Sequence, residues 1–285
     1  MDVSLALLAA FAFAGGAVLQ QKGTLEAPAG EDDPRFLVQI LRRPVWLAGA
    51  LLQATGWVLQ AAALDHGPLV VVQSVTTLSL VIALPLGTRV THQRVGRREM
   101  AGAFAVVVGI VLFLSAGSPK SGTLHPSSSA WWSAGLVSAV LVLIALVLGR
   151  RRRGATRALL YGSGAGIAFG FQAAVTKVFV GELGHGISVL LGSWTTYALI
   201  ASALVGFALM QSALKTGVLA PAISSSNAMT LLASVLLGIA VFGESLGHGG
   251  GQLVPAVIGL AIGVAGIARL ASAAVPLETT QPEPA

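Results

Sequence analysis

The sequence contains no cysteine and few charged residues. Of its 285 residues only 10% are Asp, Glu, Lys or Arg, whereas about 25% is typical of a soluble domain. The missing cysteines exclude a disulfide framework, a thiolate nucleophile and a Cys-ligated zinc site. Because 55% of the residues are hydrophobic, a chain of this length cannot enclose them in a core surrounded by water. The composition excludes a soluble globular protein and indicates a membrane protein.

Nine apolar segments are each long enough to cross a bilayer as a helix, which takes about 20 residues. They span residues 3–21, 45–64, 69–86, 100–116, 131–149, 158–178, 187–209, 219–242 and 253–270. None contains Asp or Glu, and none shows the two-residue alternation of a membrane β-barrel strand. The sequence therefore predicts an all-α membrane protein with nine transmembrane helices.

Lysine and arginine are distributed unequally between the two predicted sides. Fifteen of the 17 follow segments 1, 3, 5 and 7 or lie at the end of segment 9. The positive-inside rule then places the N-terminus outside and the C-terminus in the cytoplasm. The arginine run at 150–153 is interpreted as a topology anchor, with a lipid-headgroup site as the alternative. The use of 13 Arg against 4 Lys favours a GC-rich bacterial genome and hence a plasma-membrane location.

The second and seventh segments have similar sequences at an offset of 150 residues. Residues 56–64 align with 206–214, and the match continues to Ala83 and Ala233. Corresponding helices are five apart in order, so the two copies would insert with opposite orientation, which is typical of secondary transporters. The predicted units are a first repeat (1–116), a linker with the fifth helix (117–154), an inverted second repeat (155–270) and a polar tail (271–285).

Several short stretches resemble the drug/metabolite transporter superfamily, and specifically its NIPA-type magnesium transporter branch. They are QQKG at 20–23, RPVWLAG at 43–49, AALDHGP at 62–68 and GE at 243–244. The resemblance implies a transporter with four helices, one central helix and four helices, and magnesium as its substrate.

Uncharged polar residues inside the segments are the candidate lining of a substrate pathway. They are Gln53, Gln60, Gln73, Ser74, Thr76, Thr77, Gln172, Ser224, Ser225, Asn227 and Thr230. The clusters of the third and eighth segments occupy matching repeat positions, near the midplane where such transporters bind their substrates. The alternative is that these side chains only hydrogen-bond neighbouring helices.

Three loops on the predicted outer side each combine an acid with a nearby histidine. The pairs are Asp65 with His66, Glu182 with His185, and Glu244 with His248. A net negative outer side would attract cations or form a weak metal or pH-sensing site; ordinary polar loops are the alternative, and no metal ligand set is assigned. Lys177, near the end of the sixth segment, is expected to extend toward the membrane surface.

Two glycine patterns of the small-xxx-small type predict close helix packing. They are Gly162, Gly166 and Gly170 in the sixth segment, and Gly259 and Gly263 in the ninth. We expect this packing within one chain, with a homodimer interface as the alternative.

The sequence favours a secondary transporter or facilitator for magnesium or another small cation. An exporter of a small neutral or weakly polar metabolite and a non-transporting membrane partner protein are the alternatives. No enzymatic activity is expected, because the spans contain no acid and the chain has no H-E-x-x-H pair, nucleophile elbow or P-loop. The expected partners are the lipid bilayer and the transported solute, with no cofactor and no nucleic acid.

Overall fold

The computed structural model describes residues 2–25, 42–90, 96–117, 119–120, 122–123, 126–214, 216, 219–246 and 253–273. This part of the chain forms eleven α-helices. They are α1 (Asp2–Leu25), α2 (Pro44–His66), α3 (Leu69–Thr76), α4 (Ser79–Val90), α5 (Arg97–Gly117), α6 (Ser128–Arg150), α7 (Gly154–Glu182), α8 (Ile187–Gly192), α9 (Trp194–Leu214), α10 (Leu219–Ala240) and α11 (Leu253–Ala273). A single 3₁₀ turn, Leu183–His185, follows α7.

Every predicted segment coincides with helical structure, so the prediction of an all-helical protein is confirmed. Two segments are divided: the third forms α3 and α4, and the seventh forms α8 and α9. Among the described residues, seven helical stretches are long and apolar enough to cross a membrane. Trp194–Met210 and Leu253–Arg269 are shorter apolar helices. The architecture is that expected of a membrane-embedded protein.

The positions of the helix ends follow from local sequence. Pro44 begins α2, where its missing N–H costs nothing, and α6 begins after Ser127, whose hydroxyl accepts a hydrogen bond from Ala130 N at 3.3 Å. Gly154 begins α7 with φ +55°, a backbone conformation that favours glycine.

Glycines bring neighbouring helices into backbone contact. On α7, a methyl group added to Gly166 would lie 2.8 Å from Met229 Cβ of α10, and one on Gly170 would lie 3.1 Å from Thr230 O. On α11, a methyl group on Gly259 would lie 2.5 Å from Phe113 N of α5. The prediction that these glycines permit close packing within the chain is confirmed.

The helices pack in an order that brings distant parts of the sequence together. α1 lies along α2, α7 lies along both α9 and α10, and α5 lies along α11, while α3 contacts α1 and α10. At one end of the bundle the connection after α5 meets the residues that follow α10: Lys120 N donates to Ser245 O at 3.1 Å and Thr123 N donates to Phe242 O at 2.7 Å. These contacts fix the residues after α10 against the bundle.

Candidate functional site

The third predicted segment is interrupted at its polar cluster. α3 ends at Thr76 and α4 begins at Ser79, and between them Leu78 N donates to Val75 O at 3.0 Å and Val81 N donates to Leu78 O at 2.9 Å. These bonds have the three-residue spacing of a 3₁₀ turn rather than the four-residue spacing of an α-helix. The break lies eight residues into a 22-residue apolar stretch, or about 12 Å from its start at 1.5 Å per residue.

Hydroxyl groups account for the break. The Thr76 and Thr77 hydroxyls both donate to the carbonyl oxygen of Gln73, at 3.1 and 2.8 Å, and the Ser74 hydroxyl donates to Val70 O at 2.7 Å. Side chains that compete for backbone carbonyls weaken and bend a helix. Gln73, Ser74 and Thr76 are buried, whereas Thr77 and Leu78 at the break itself are partly exposed.

The polar cluster on α10 is bonded mainly to its own helix. Ser224, Ser225 and Asn227 donate to the carbonyls of Pro221, Ala222 and Ile223, at 3.4, 3.2 and 2.9 Å.

The exception on α10 is Thr230. Its hydroxyl lies 2.8 Å from Ser226 O of its own helix and 3.2 Å from Gly166 O of α7. Hydrogen bonding to a neighbouring helix, the alternative explanation for these residues, therefore describes Thr230 but not Ser224, Ser225 or Asn227.

Among the described residues, four side-chain atoms in the helices are buried without a hydrogen-bond partner: Gln53 Oε1, Gln73 Nε2, Arg157 Nε and Ser234 Oγ. A buried polar atom without a partner costs about 1–3 kcal/mol. Because α3 carries Gln73 next to its break, the site holds an amide group that protein atoms leave partly unsatisfied. Gln60 and Gln172 are partly buried, and Gln172 O accepts from the Thr176 hydroxyl at 2.8 Å.

A small void lies beside the interrupted helix. It has no room for a water molecule, and its lining includes Ser74, Leu231 of α10, Phe113 of α5 and Gly259 of α11. Pockets for small molecules usually measure about 300–1,000 Å³. Ser74, which belongs to the α3 polar cluster, is fully buried there, at the point where four helices meet.

A buried ion pair lies at the other end of α3. Glu244 is 1% exposed and Lys177 is 5% exposed, and Lys177 Nζ lies 2.7 Å from Glu244 Oε1. The same carboxylate accepts hydrogen bonds from Leu69 N at 2.6 Å and from Val70 N at 2.9 Å. One side chain therefore joins the start of α3, the end of α7 and the residues that follow α10.

The chemistry of a helix terminus explains this position of Glu244. The first N–H groups of a helix have no partner within it and favour negative charge. Pro68, which precedes α3, supplies no side-chain hydrogen bond, so the carboxylate takes that role from far along the sequence. Gly238 makes room for it, because a methyl group there would lie 2.7 Å from Glu244 Oε2.

An aromatic cluster lies on one side of the ion pair. Lys177 Nζ lies 4.9 Å from the centre of the Phe242 ring, a favourable arrangement for a cation. Trp131 of α6 packs edge-on against Phe242, Phe171 and Trp194, with ring centres 5.8, 6.1 and 5.0 Å away. Rings from α6, α7 and α9 and from the residues after α10 thus pack together beside the ion pair.

Two predictions about these residues are corrected by the structure. Glu244 does not lie on an exposed loop at an open mouth, because the α3 terminus and Lys177 hold its carboxylate in the interior. Lys177 does not extend toward the membrane surface, because its ammonium group is paired. His248, the predicted neighbour of Glu244, lies outside the described residues.

The other two acid–histidine pairs differ from each other. His66 Nδ1 lies 3.6 Å from Asp65 Oδ2, and both side chains are about half exposed. Glu182 instead accepts a hydrogen bond from the Thr195 hydroxyl at 2.6 Å, while His185 is exposed. Among the described residues no group of three or more His, Asp or Glu side chains is placed to hold a metal ion.

Comparison with known proteins establishes a family without a stated activity. The fold defines the class, an α-helical protein with several long apolar helices suited to a membrane. An uncharacterized protein of Corynebacterium glutamicum is 30% identical over 246 residues, which cover 86% of this chain and 85% of that protein. The chain belongs to the same family as this corynebacterial protein. No protein-family model and no solved structure matches it.

Proposed function

We propose that the chain is a multi-pass secondary transporter or facilitator of the drug/metabolite transporter superfamily, moving magnesium or another small cation. Nine spans would form two inverted repeats in the plasma membrane, with the N-terminus outside and the C-terminus in the cytoplasm. The observation that carries the proposal is the break between α3 and α4 at a buried polar cluster. Secondary transporters typically form their substrate sites from such discontinuous helices.

Matching helix contacts support the two repeats. A methyl group on Gly56 of α2 would lie 2.5 Å from the Phe13 ring of α1, and one on Gly206 of α9 would lie 2.6 Å from the Phe169 ring of α7. Gly56 and Gly206 are the positions aligned at the offset of 150 residues. Equivalent glycines thus receive an aromatic ring from the preceding long helix in both proposed halves.

The available ligand atoms favour a cation that keeps its water. Mg²⁺ releases its hydration shell reluctantly and usually needs carboxylates to bind directly. The described pathway candidates offer amide, hydroxyl and carbonyl groups, and the buried carboxylate of Glu244 already accepts three hydrogen bonds. Transported Mg²⁺ would therefore pass largely hydrated, with Asp65 at the predicted outer entrance.

A small neutral metabolite is the second candidate substrate. Gln73 Nε2 is a buried donor without a partner, and a carbonyl or hydroxyl oxygen of a polar solute would satisfy it directly. A cation would not, because a donor N–H repels positive charge.

The test is Mg²⁺ uptake into proteoliposomes that contain the purified protein, measured for three variants. Ser74→Ala removes a hydroxyl at the occluded void, and Ser133→Ala removes an exposed one on α6 that likewise bonds its own helix. We expect Ser74→Ala to lower the maximal rate and Ser133→Ala to leave it unchanged. Asp65→Asn should raise the Mg²⁺ concentration needed for half-maximal uptake.

Each outcome of this test decides one part of the proposal. Equal rates for Ser74→Ala and Ser133→Ala would contradict a pathway at the α3 break. No uptake above protein-free vesicles would contradict magnesium and leave the neutral metabolite. Failure of both substrate classes in a folded protein would favour a non-transporting partner protein.

A further inference from the structure

The Lys177–Glu244 pair connects two parts of the chain that the proposed function requires to move. α3 belongs to the proposed first repeat, whereas Lys177 and Glu244 belong to the second. Alternating access proceeds by movement of one repeat against the other around a fixed site. A contact that crosses the repeat interface at one end must break before that end can open.

The structure shows this contact closed. In the closed state Glu244 accepts three hydrogen bonds and neither side chain is exposed by more than 5%. Separating two buried charges without water is unfavourable, because each loses its partner and gains no hydration. Water that enters an opened end would hydrate both groups at once. The pair therefore favours either a dry, closed end or a fully wet, open one.

The contact also determines the position of the polar cluster. Glu244 holds the first residues of α3, and Gln73 and Ser74 lie one turn further along the same eight-residue helix. Phe242 lies two residues before Glu244. Its ring contacts the Lys177 ammonium group and packs against Trp131. Release of the carboxylate would free the α3 terminus and, at the same time, loosen the packing of Phe242 against Trp131.

We propose that Glu244, Lys177 and the Leu69 and Val70 amides form the closing contact of the gate at the predicted outer end. Glu244 is its positioning residue, and its release opens a route to the α3 break. The inference rests on the proposed transport function, because only a protein with alternating access needs this end to open.

The absence of cysteine makes a direct test of opening straightforward. Because the chain contains no cysteine, an introduced cysteine is the only thiol that a reagent can label in it. Ser74→Cys places a thiol at the occluded void, and Ser225→Cys places one on α10 near Gly162, toward the opposite end of the bundle. Both reporters are labelled in intact cells with a membrane-impermeant maleimide, and labelling after denaturation gives the total.

The expected result is selective exposure of the outer reporter. Glu244→Gln should raise the labelling rate of Ser74→Cys on the order of tenfold, which is about 1.4 kcal/mol in the closed–open equilibrium, and leave Ser225→Cys unlabelled. Lys177→Met should raise it less, because Glu244 keeps its two backbone hydrogen bonds. Lys177→Met serves as the second variant if the Glu244→Gln protein does not accumulate in the cells.

Two results would overturn the gate. Unchanged labelling of Ser74→Cys in both variants would show that the contact does not hold this end closed. Equal gains at Ser74→Cys and Ser225→Cys would show general loosening of the bundle. The assay needs no substrate, so selective exposure without Mg²⁺ uptake would retain the gate and remove magnesium alone.

Discussion

The carboxylate of Glu244 and the ammonium group of Lys177 lie 2.7 Å apart, with both side chains excluded from solvent. The two residues are separated by 67 positions in sequence, and they meet at the first residues of α3. Glu244 has two further partners in the Leu69 and Val70 amides, whereas Lys177 additionally contacts the Phe242 ring. This difference makes the two members of the pair unequal.

Removing the negative charge should cost more stability than removing the positive one. Glu244→Gln leaves a buried ammonium group without a carboxylate, and breaking a buried pair costs about 3–5 kcal/mol. Lys177→Met leaves the carboxylate bound to the α3 terminus. Thermal unfolding in detergent should rank Glu244→Gln below Lys177→Met, and the double variant above Glu244→Gln alone.

Glu182→Gln is the matched control, since it removes a partly exposed acid whose hydrogen bond comes from the Thr195 hydroxyl. Its loss should stay near the ~1 kcal/mol of an ordinary hydrogen bond. Equal losses at Glu182 and Glu244 would refute a special role for the buried pair.

Exchanging the two charges should not restore stability. A simple ion pair survives when its members swap places, but a lysine at position 244 would face the N–H donors of α3, where positive charge is unfavourable. We expect Lys177→Glu combined with Glu244→Lys to unfold at least as readily as Glu244→Gln. Recovery to the native melting temperature would mean that capping of α3 contributes little.

Gly166 should not tolerate even a single methyl group. A methyl group there would lie 2.8 Å from Met229 Cβ and closer still to the Ser226 carbonyl oxygen, so Gly166→Ala must push α7 and α10 apart. Overpacking of this kind costs about 1–3 kcal/mol. Gly181→Ala, on the same helix with nothing within 4 Å of the added atom, should be neutral or stabilising. The measurement is the melting temperature of each variant. Similar values for Gly166→Ala and Gly181→Ala would show that the close contact at Gly166 does not determine stability.

Gln73→Leu should separate stability from activity. Gln73 Nε2 is buried without a partner, and replacing an unsatisfied buried group with an apolar one of similar size is nearly neutral or stabilising. A residue that lines the pathway is nevertheless required for flux. We therefore expect an unchanged or higher melting temperature together with loss of transport, measured on the same preparation. Normal transport by a stable Gln73→Leu protein would remove Gln73 from the pathway.

Hydropathy was sufficient to locate the helices but not their interruptions. Long apolar runs have few folded alternatives in a membrane, and all nine predicted segments coincide with helices. The α3–α4 break has no Pro or Gly at residues 73–80 to mark it. Its signal is the hydroxyl-rich stretch Ser74, Thr76 and Thr77, whose hydrogen bonds to carbonyls become clear only from the geometry.

The buried pair could be predicted only in part. An acid after one span and a lysine at the end of another lie on the same predicted side, which makes a contact between Glu244 and Lys177 conceivable from sequence. Their burial could not be predicted, because it depends on Gly238 leaving space and on α3 lacking a capping side chain. The glycine patterns were more informative, since small residues at helical spacing directly predict close packing.

The most direct test of the proposed function is the initial rate of Mg²⁺ uptake into proteoliposomes containing the native chain, measured against protein-free vesicles over a range of concentrations. The proposed pathway predicts uptake that saturates with Mg²⁺ concentration and exceeds the protein-free rate. Uptake equal to that of protein-free vesicles at every concentration would contradict magnesium transport.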